Sequence, residues 1–128
     1  MERKEKEKER ILNLTQHPAT PDQVEAGVIE PENKEEVRQL LTFNELPTYE
    51  EIMARAEALA TIAIKHDVKK AMIGGALFFM TPLAAILRCR GITPLFSFTK
   101  RVVEEKVLED GTVEKKTVFK HEGWIVAF

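Results

Sequence analysis

The stretch Ile11-Leu12-Asn13-Leu14-Thr15-Gln16-His17 is a short apolar run that gives way to three polar residues. Its length and its β-favouring side chains predict a buried strand. Two later stretches follow the same plan: Lys70 to Ile73 stops at Gly74-Gly75, and Ile92 to Thr99 leads into a charged segment. Buried strands separated by long helical segments predict a mainly parallel sheet.

The segments between these strands carry helix signals. Thr20-Pro21-Asp22-Gln23 is a capping box before a short helix, and Gly27 is expected to end that helix. Pro31 is predicted to begin a second helix. Thr48-Tyr49-Glu50-Glu51 is a second capping box, and it opens the longest apolar stripe of 3.6 period, which His66-Asp67 ends.

Two prolines in the second half constrain the prediction. Pro82 lies in the apolar stretch that follows Gly75, and it predicts either a kink or a loop through Met80 with a helix from Pro82 to Arg90. Pro94 lacks an amide donor, so the third strand is expected to begin near a sheet edge or a bulge.

The chain closes on a predicted hairpin, because Glu109-Asp110-Gly111-Thr112 is a turn between two strand-like segments. The whole order predicts an α/β fold with a mainly parallel central sheet, flanking helices and a C-terminal β-hairpin extension, Rossmann-like in plan. Residues 1–10 are expected to be a charged, solvated lead-in, and residues 11–128 a single α/β domain.

Composition restricts the function classes. The formal net charge of −2 provides no global field for duplex nucleic acid or an anionic membrane, so a phosphate-bearing ligand must be held by a local cluster. Cys89 is the single cysteine, and the three histidines are separated, so we expect no disulfide, metal site or cofactor. No apolar run reaches the ~20 residues of a membrane span. The expectation is a cytoplasmic protein without membrane contact.

Polar residues after the predicted strands are the candidate site, because ligands of open α/β sheets gather beyond the carboxyl ends of the strands. The candidates are Thr15, Gln16, His17, Gly74, Gly75, Ser97, Thr99, Lys100 and Arg101, joined by Lys116, Lys120 and His121 if the hairpin folds back.

Each candidate has a structural alternative. His17 suits a general acid or base, but it also suits a turn before Pro18. Gly74-Gly75 lets backbone amides approach an anion, but the same pair makes a tight turn. Lys100 and Arg101 suit phosphate binding, but a strand end paired with glutamates explains them equally.

Four segments carry a family resemblance: residues 12–21, Leu40-Leu41-Thr42-Phe43, Ala71-Met72-Ile73-Gly74-Gly75 and Val118-Phe119-Lys120-His121-Glu122-Gly123. They resemble a family of small proteins from bacteria, phages and mobile elements, and are similar to the CRISPR-associated ring nucleases and their viral counterparts. The resemblance covers nearly the whole chain after Arg10, and the Asn-Leu-Thr-Gln-His opening is its most specific part.

The resemblance implies a dimeric α/β protein that cleaves cyclic oligoadenylate without a metal. In such a reaction an adenosine 2′-OH attacks its own 3′-phosphate and expels the 5′-oxygen. Chemistry then assigns His17 as acid or base, Gln16 as orienter and Arg101 as charge stabiliser. The expected substrate-binding residues are Thr15, Gly74, Gly75, Thr99, Lys100 and His121. The apolar ending from Trp124 to Phe128 also favours a homodimer.

A different class of function uses the same pocket. The chain is alternatively a non-catalytic nucleotide-binding or protein-interaction module of a phage or mobile element, which needs affinity but no acid or base group.

Overall fold

The computed structural model describes residues 9 to 128, and most of the expected charged lead-in, residues 1–8, lies outside the described residues. Within the described part, five strands are present: β1 Ile11–Leu14, β2 Val28–Ile29, β3 Lys70–Ile73, β4 Thr93–Val107 and β5 Val113–Val126. The same part contains four α-helices: α1 Pro21–Glu25, α2 Lys34–Leu41, α3 Tyr49–Lys65 and α4 Leu77–Cys89.

The strands form one sheet with the order β2-β1-β3-β4-β5. All neighbouring pairs from β2 to β4 are parallel, and β5 runs antiparallel to β4. The predicted α/β class, the mainly parallel sheet and the C-terminal hairpin are therefore confirmed. The strand β2 was not predicted, because two residues are too few to produce an alternating pattern.

The local helix signals are found where the sequence places them. The Thr20 side chain accepts from the Gln23 amide, and the Gln23 side chain closes the capping box. Gly27 has φ 110°, a conformation that glycine adopts without steric cost. At the second capping box the Thr48 side chain accepts from the Glu51 amide, and α3 begins at the next residue.

The prediction that Pro31 begins a helix is wrong. The helix α2 begins at Lys34, and Asn33 is its N-cap, with a side chain that accepts from the Glu36 amide. An asparagine side chain supplies the acceptor that the first turn needs, whereas proline at 31 supplies none, so the helix starts after the better cap.

The loop through Met80 is also wrong, because α4 continues through Pro82 from Leu77 to Cys89. Proline removes one backbone hydrogen bond inside a helix. Here the residues on either side, Met80 and Leu83 among them, are buried against the sheet, and this apolar burial offsets the lost bond.

Pro94 is neither at an edge nor at a bulge. It is the second residue of β4, between β3 and β5, and the irregularity in this ladder lies at Phe98/Thr99. The Ala127 amide donates to the Pro94 carbonyl at 2.9 Å, but proline has no amide to return the bond. The Arg88 guanidinium donates to the Ala127 carbonyl at 2.7 Å instead. A side chain therefore replaces the donor that Pro94 lacks.

The two faces of the sheet are covered unequally. Leu12, Leu14, Ala71 and Ile73 belong to the larger core, which α2, α3 and α4 complete on one face. The second core contains Ile11, Val28, Met72 and Leu95, with Ala19 and Trp124 packed against it. Strand alternation places these two sets on opposite faces. The second face is covered by Ala19, Trp124 and the short helix α1, whose Gln23 side chain donates to Ser97 of β4 at 3.2 Å.

The β4–β5 ribbon, defined as Thr99–Val107 with Val113–His121, extends past the rest of the sheet. Strand β4 pairs with β3 only from Thr93 to Leu95, so the ribbon has two strands alone. Its turn is closed by Asp110, whose carboxylate accepts from the Thr112 hydroxyl at 2.6 Å and from the Thr112 amide at 2.9 Å. These bonds lower the pKa of Asp110 below its ordinary value.

The first described residues are held beside the beginning of β3 by two contacts. Glu9 pairs with Lys70 at 2.9 Å, and the Arg10 guanidinium donates to the Asp67 carbonyl at 2.9 Å. None of the helices in residues 9–128 has the length and hydropathy needed to cross a bilayer.

Candidate functional site

The candidate site is a cavity at the point where the strand order reverses. The chain passes from β1 to β2 on one side and then to β3 on the other, so the segments that follow β1 and β3 diverge and leave a crevice. A cavity of about 450 Å³ occupies this place. Its lining residues are Thr15, Gln16, His17, Pro18, Thr20, Gln23, Met72, Ile73, Gly74, Gly75, Phe96 and Ser97.

Asn13 organises the turn that follows β1. Its side chain is only 1% exposed, so each polar atom needs a partner. The amide nitrogen donates to the His17 carbonyl at 2.8 Å and to Glu30 Oε1 at 3.1 Å. The amide oxygen accepts from the Thr15 amide at 3.0 Å and from the Thr15 hydroxyl at 2.7 Å. One buried side chain thus holds both ends of the turn.

Glu30 fixes the outer part of the same turn. It directly follows β2, and its second carboxylate oxygen accepts from the Ala19 amide at 2.7 Å. Its two oxygens therefore bridge Asn13 and Ala19. Hydrogen bonds of this charge-assisted kind are the stronger ones, so the Thr15–Pro18 turn is held from both sides.

Gln16 is held by the helical layer. Its amide nitrogen donates to the Thr42 hydroxyl at 2.8 Å, and this hydroxyl donates to the Arg38 carbonyl at 2.7 Å. Because the donor end of the amide is anchored at the end of α2, the acceptor end is held in a fixed direction. This is the geometry expected of a residue that orients a hydroxyl donor.

His17 is the exposed titratable residue of the turn. Its backbone is fixed on both sides, since its carbonyl accepts from Asn13 and its amide donates to the Thr15 hydroxyl at 3.3 Å. Among the described residues the imidazole ring has no hydrogen-bond partner. The ring therefore stands on an ordered backbone and can meet a ligand in the cavity.

Gly74 and Gly75, which follow β3, form the wall of the cavity beside the Thr15–Pro18 turn. A Cβ atom at Gly74 would lie 3.4 Å from Thr15 Cγ2, so the two turns approach closely. Gly75 has φ 150°, which side-chain-bearing residues rarely adopt. A side chain at Gly74 would therefore be in van der Waals contact with the β1 turn, and the pair is followed after one residue by α4.

Ser97 joins the cavity to His121. Ser97 lies in β4 and lines the cavity, and its hydroxyl oxygen is 2.6 Å from His121 Nδ1. The Gln23 amide nitrogen donates to the same hydroxyl at 3.2 Å. The His121 ring packs against Trp124 with centroids 4.3 Å apart. His121 therefore reaches the candidate site through Ser97 rather than directly.

The remaining predicted residues lie on the ribbon and do not line the cavity. Thr99 is paired with His121, Lys100 with Lys120, and Arg101 with Phe119. The Arg101 guanidinium sits over the Phe119 ring, 5.7 Å from its centroid. All three ribbon residues are exposed.

Two cations that were not predicted as site residues border the Thr15–Pro18 turn. Lys34 and Arg38 of α2 line a second cavity of about 170 Å³, which shares Thr15, Gln16 and His17 with the first. The two cavities thus meet at the Thr15–Pro18 turn. No Lys or Arg of the described chain lines the first cavity.

Asn13, Glu30, Gln23, Lys34 and Arg38 were not predicted as site residues. Asn13 carried a usable signal, since a polar residue inside the apolar run Ile-Leu-Asn-Leu demands buried partners. Glu30, Gln23 and the α2 cations carried none, because their positions depend on crossovers that local patterns do not reveal. In residues 9–128 no group of three or more His, Cys, Asp and Glu side chains could hold a metal ion.

Comparison with known proteins gives a family but no described relative. No curated protein and no solved structure matches the chain. The model of one family, described as the Uncharacterized protein MJ1673 family, matches residues 9–125. Because this match covers nearly the whole chain, the protein belongs to the MJ1673 family.

Proposed function

We propose that the protein is a metal-independent ring nuclease that cleaves cyclic oligoadenylate. The observation that carries the proposal is the convergence of Thr15-Gln16-His17 with Gly74-Gly75 on one cavity, with the His17 ring facing solvent without a partner among the described residues. The resemblance of these same segments to CRISPR-associated ring nucleases supplies the substrate class.

The reaction needs positioning, proton transfer and charge stabilisation. A 2′-hydroxyl of the ring attacks its own 3′-phosphate, the bond from phosphorus to the 5′-oxygen breaks, and a 2′,3′-cyclic phosphate and a 5′-hydroxyl remain. His17 takes the proton of the attacking hydroxyl. Gln16, anchored on Thr42, orients that hydroxyl, and the Gly74-Gly75 amides contact the phosphate oxygens.

Within a single chain, the cations of α2 stabilise the negative charge that develops on the phosphate. Lys34 and Arg38 border the Thr15–Pro18 turn from the adjoining cavity, and a phosphate held at His17 lies between them and the glycines. Arg101 is on the exposed ribbon, so its proposed role at the phosphate requires a second copy to bring a ribbon to the site. The proposed contacts of Thr99 and Lys100 with the substrate likewise require a second copy.

A homodimer fits both the surface and the substrate. Strand β5 is the edge of the sheet, and Phe119, Ile125, Val126 and Phe128 are exposed on it or just after it. Unpaired strand edges with exposed apolar side chains favour pairing with another chain. A ring with repeated phosphates suits a two-fold interface, because the same patch meets it twice.

We further propose a Rossmann-like relationship for the fold and a cytoplasmic place of action. The four parallel strands have the order 2-1-3-4 with which flavodoxin-like doubly wound sheets begin, and in those sheets the ligand occupies the same β1/β3 switch point. The antiparallel β5 departs from that plan. A single cysteine, which has no second cysteine in the chain to pair with, suits a reducing compartment.

The alternative is a non-catalytic nucleotide-binding or interaction module, and one observation favours it. The main cavity has no cationic side chain from the described residues in its wall, so a bound phosphodiester meets little positive charge there. Binding needs less charge stabilisation than cleavage does, because the extra negative charge develops only in the transition state.

One experiment separates the two functions. The protein is incubated with cyclic tetra-adenylate or cyclic hexa-adenylate in EDTA at a hundredfold excess of ligand, and the products are analysed by mass. Conversion of the whole ligand pool to linear products with 2′,3′-cyclic phosphate ends supports the ring nuclease. Retention of one intact ring per site supports the binding module, and neither conversion nor retention overturns both.

A further inference from the structure

We propose that Ser97 and His121 form a second proton-transfer pair of the site, which delivers a proton to the leaving 5′-oxygen while His17 removes one from the attacking hydroxyl. The proposal rests on the proposed ring-nuclease function and adds a second half to its chemistry. It starts from the 2.6 Å contact between Ser97 Oγ and His121 Nδ1 at the wall of the cavity.

The hydrogen bonds of Ser97 determine where its proton points. A hydroxyl has one hydrogen and two acceptor positions. Gln23 Nε2 donates to the oxygen at 3.2 Å, and a protonated His121 donates from Nδ1. Both acceptor positions are then filled by protein donors, so the Ser97 hydrogen is left for a group in the cavity. A protonated His121 thus converts Ser97 into a donor toward the ligand.

The location of the pair suits in-line displacement. His17 follows β1 and Ser97 lies in β4, and β3 runs between these strands. Strands are about 4.8 Å apart, so the two strands that carry these groups are separated by roughly 10 Å. Attacking and leaving oxygens lie on opposite sides of the phosphorus in phosphoryl transfer. A base near one end of the cavity and an acid near the other meet that requirement.

The proton movements balance. His17 accepts the proton of the 2′-hydroxyl as the bond from oxygen to phosphorus forms. As the bond from phosphorus to the 5′-oxygen breaks, the Ser97 proton moves to that oxygen and the His121 Nδ1 proton moves to Ser97. The site ends with a charged His17 and a neutral His121, and exchange with solvent restores the starting state.

His121 has a separate path to solvent. It also lines an open cavity that Ser97 does not line, together with Asp22, Glu25, Ala26 and Lys120. The charged groups that face the ring are therefore the carboxylates of α1 and the Lys120 ammonium of β5. Protons can reach the ring from this cavity without passing the ligand.

Single-turnover cleavage of cyclic tetra-adenylate tests the pair. Ser97→Ala and His121→Asn should each slow cleavage by about 10²–10⁴-fold, with ligand affinity within a fewfold of the parent protein. The double variant should be no slower than the slower single one, because the two groups act as a unit. Each variant should lose the decline in rate that the parent shows as pH rises, and Ser97→Thr should restore part of the rate lost in Ser97→Ala.

A modified ligand separates proton donation from packing. When sulfur replaces the bridging 5′-oxygen, the thiolate leaves without a proton. The deficits of Ser97→Ala and His121→Asn should then disappear, whereas that of His17→Ala should persist. Persistence of the Ser97 deficit, or a parent-like rate of Ser97→Ala on the natural ring, overturns the pair and leaves the ring nuclease standing. A parent protein that releases no product overturns the proposed function first, and the pair falls with it.

Discussion

Asn13 donates a hydrogen bond from Nδ2 to Oε1 of Glu30 at 3.1 Å. This bond links a buried residue of β1 to the residue that directly follows β2. Both residues also bond to the chain between His17 and Ala19. The polar network thus couples two neighbouring strands to the turn that carries the candidate acid or base. Asn13 is the buried member of this network, so its own polar atoms depend on these partners.

Asn13→Ala should therefore destabilise the fold and loosen the turn. Removing the side chain leaves the Thr15 amide and one Glu30 oxygen without their Asn13 partner, while the Thr15 hydroxyl and the His17 carbonyl remain hydrogen-bonded to each other at 3.0 Å. A buried group left unsatisfied costs about 1–3 kcal/mol. Urea unfolding measures the loss, and amide exchange at residues 15–19 reports the turn. Asn44→Ala, in an exposed loop, is the matched control. Equal stability of the two variants would show that the network contributes nothing.

The stability of the hairpin turn should depend on pH. Hydrogen bonds from the hydroxyl and amide of Thr112 lower the pKa of Asp110, so these bonds favour the ionised carboxylate in the folded turn. Their stabilising contribution is present above the ordinary aspartate pKa and is lost as pH falls through the lowered one. Carbon NMR of Asp110 across acidic pH checks this direction. Thr112→Val should bring the titration back toward the ordinary value, and an unchanged midpoint would contradict the assignment.

The features that could be predicted follow either from local sequence signals or from a general property of parallel sheets. The Thr20 and Thr48 caps act within four residues, so they are found where the sequence places them. The meeting of Thr15-Gln16-His17 with Gly74-Gly75 follows from a general property of parallel sheets, that carboxyl ends share an edge.

The elements that could not be predicted depend on register and packing. His121 is paired with Thr99, which lies two residues from Ser97 on the same face of β4, and its ring contacts the Ser97 hydroxyl. A two-stranded ribbon exposed on both faces has no buried side to specify its register, so the sequence pattern leaves this pairing open. Arg101 was expected near the cavity because the third strand was predicted to end at Thr99. Strand β4 instead continues to Val107, so Arg101 lies on the ribbon.

The ribbon should carry the dimer contact. Phe119 is 65% exposed and Val103 is 59% exposed, on two strands that nothing in the described chain covers. Phe119→Ser should remove apolar area from this surface and shift the monomer–dimer equilibrium toward monomer. Sedimentation velocity at micromolar to high micromolar concentrations measures the shift.

Leu46→Ser is the control for the dimer, since Leu46 is 97% exposed in a loop away from the ribbon. A parent protein that stays monomeric at high micromolar concentration would contradict the dimer. A dimer insensitive to Phe119→Ser would place the contact elsewhere.

Arg38 should contribute to ligand affinity in both the ground state and the transition state. A guanidinium that contacts phosphate throughout is worth about 1.5–3 kcal/mol, so Arg38→Ala should weaken binding and cleavage together by roughly 10–150-fold. Calorimetry with cyclic tetra-adenylate measures the binding part. Arg90→Ala is the control, because Arg90 pairs with Glu57 and lines neither cavity.

Arg101→Ala decides whether a second copy reaches the site. A loss equal to that of Arg38→Ala, abolished in the monomeric Phe119→Ser background, would show that a ribbon delivers the guanidinium. Parent-like binding and turnover would remove Arg101 from the site.

His17 should act chiefly in the transition state. Its ring has no partner among the described residues, so removing it breaks no hydrogen bond of the fold, and its backbone bonds are unaffected. His17→Ala should therefore slow cleavage by about 10²–10⁴-fold, the usual worth of a general acid or base, while the ligand dissociation constant changes little. His17→Asn keeps a polar side chain of similar size and controls for lost packing. Single-turnover rates near those of the parent for both variants would remove His17 from proton transfer. If His121→Asn is slow in the same assay, the proton chemistry belongs to the Ser97 side of the cavity.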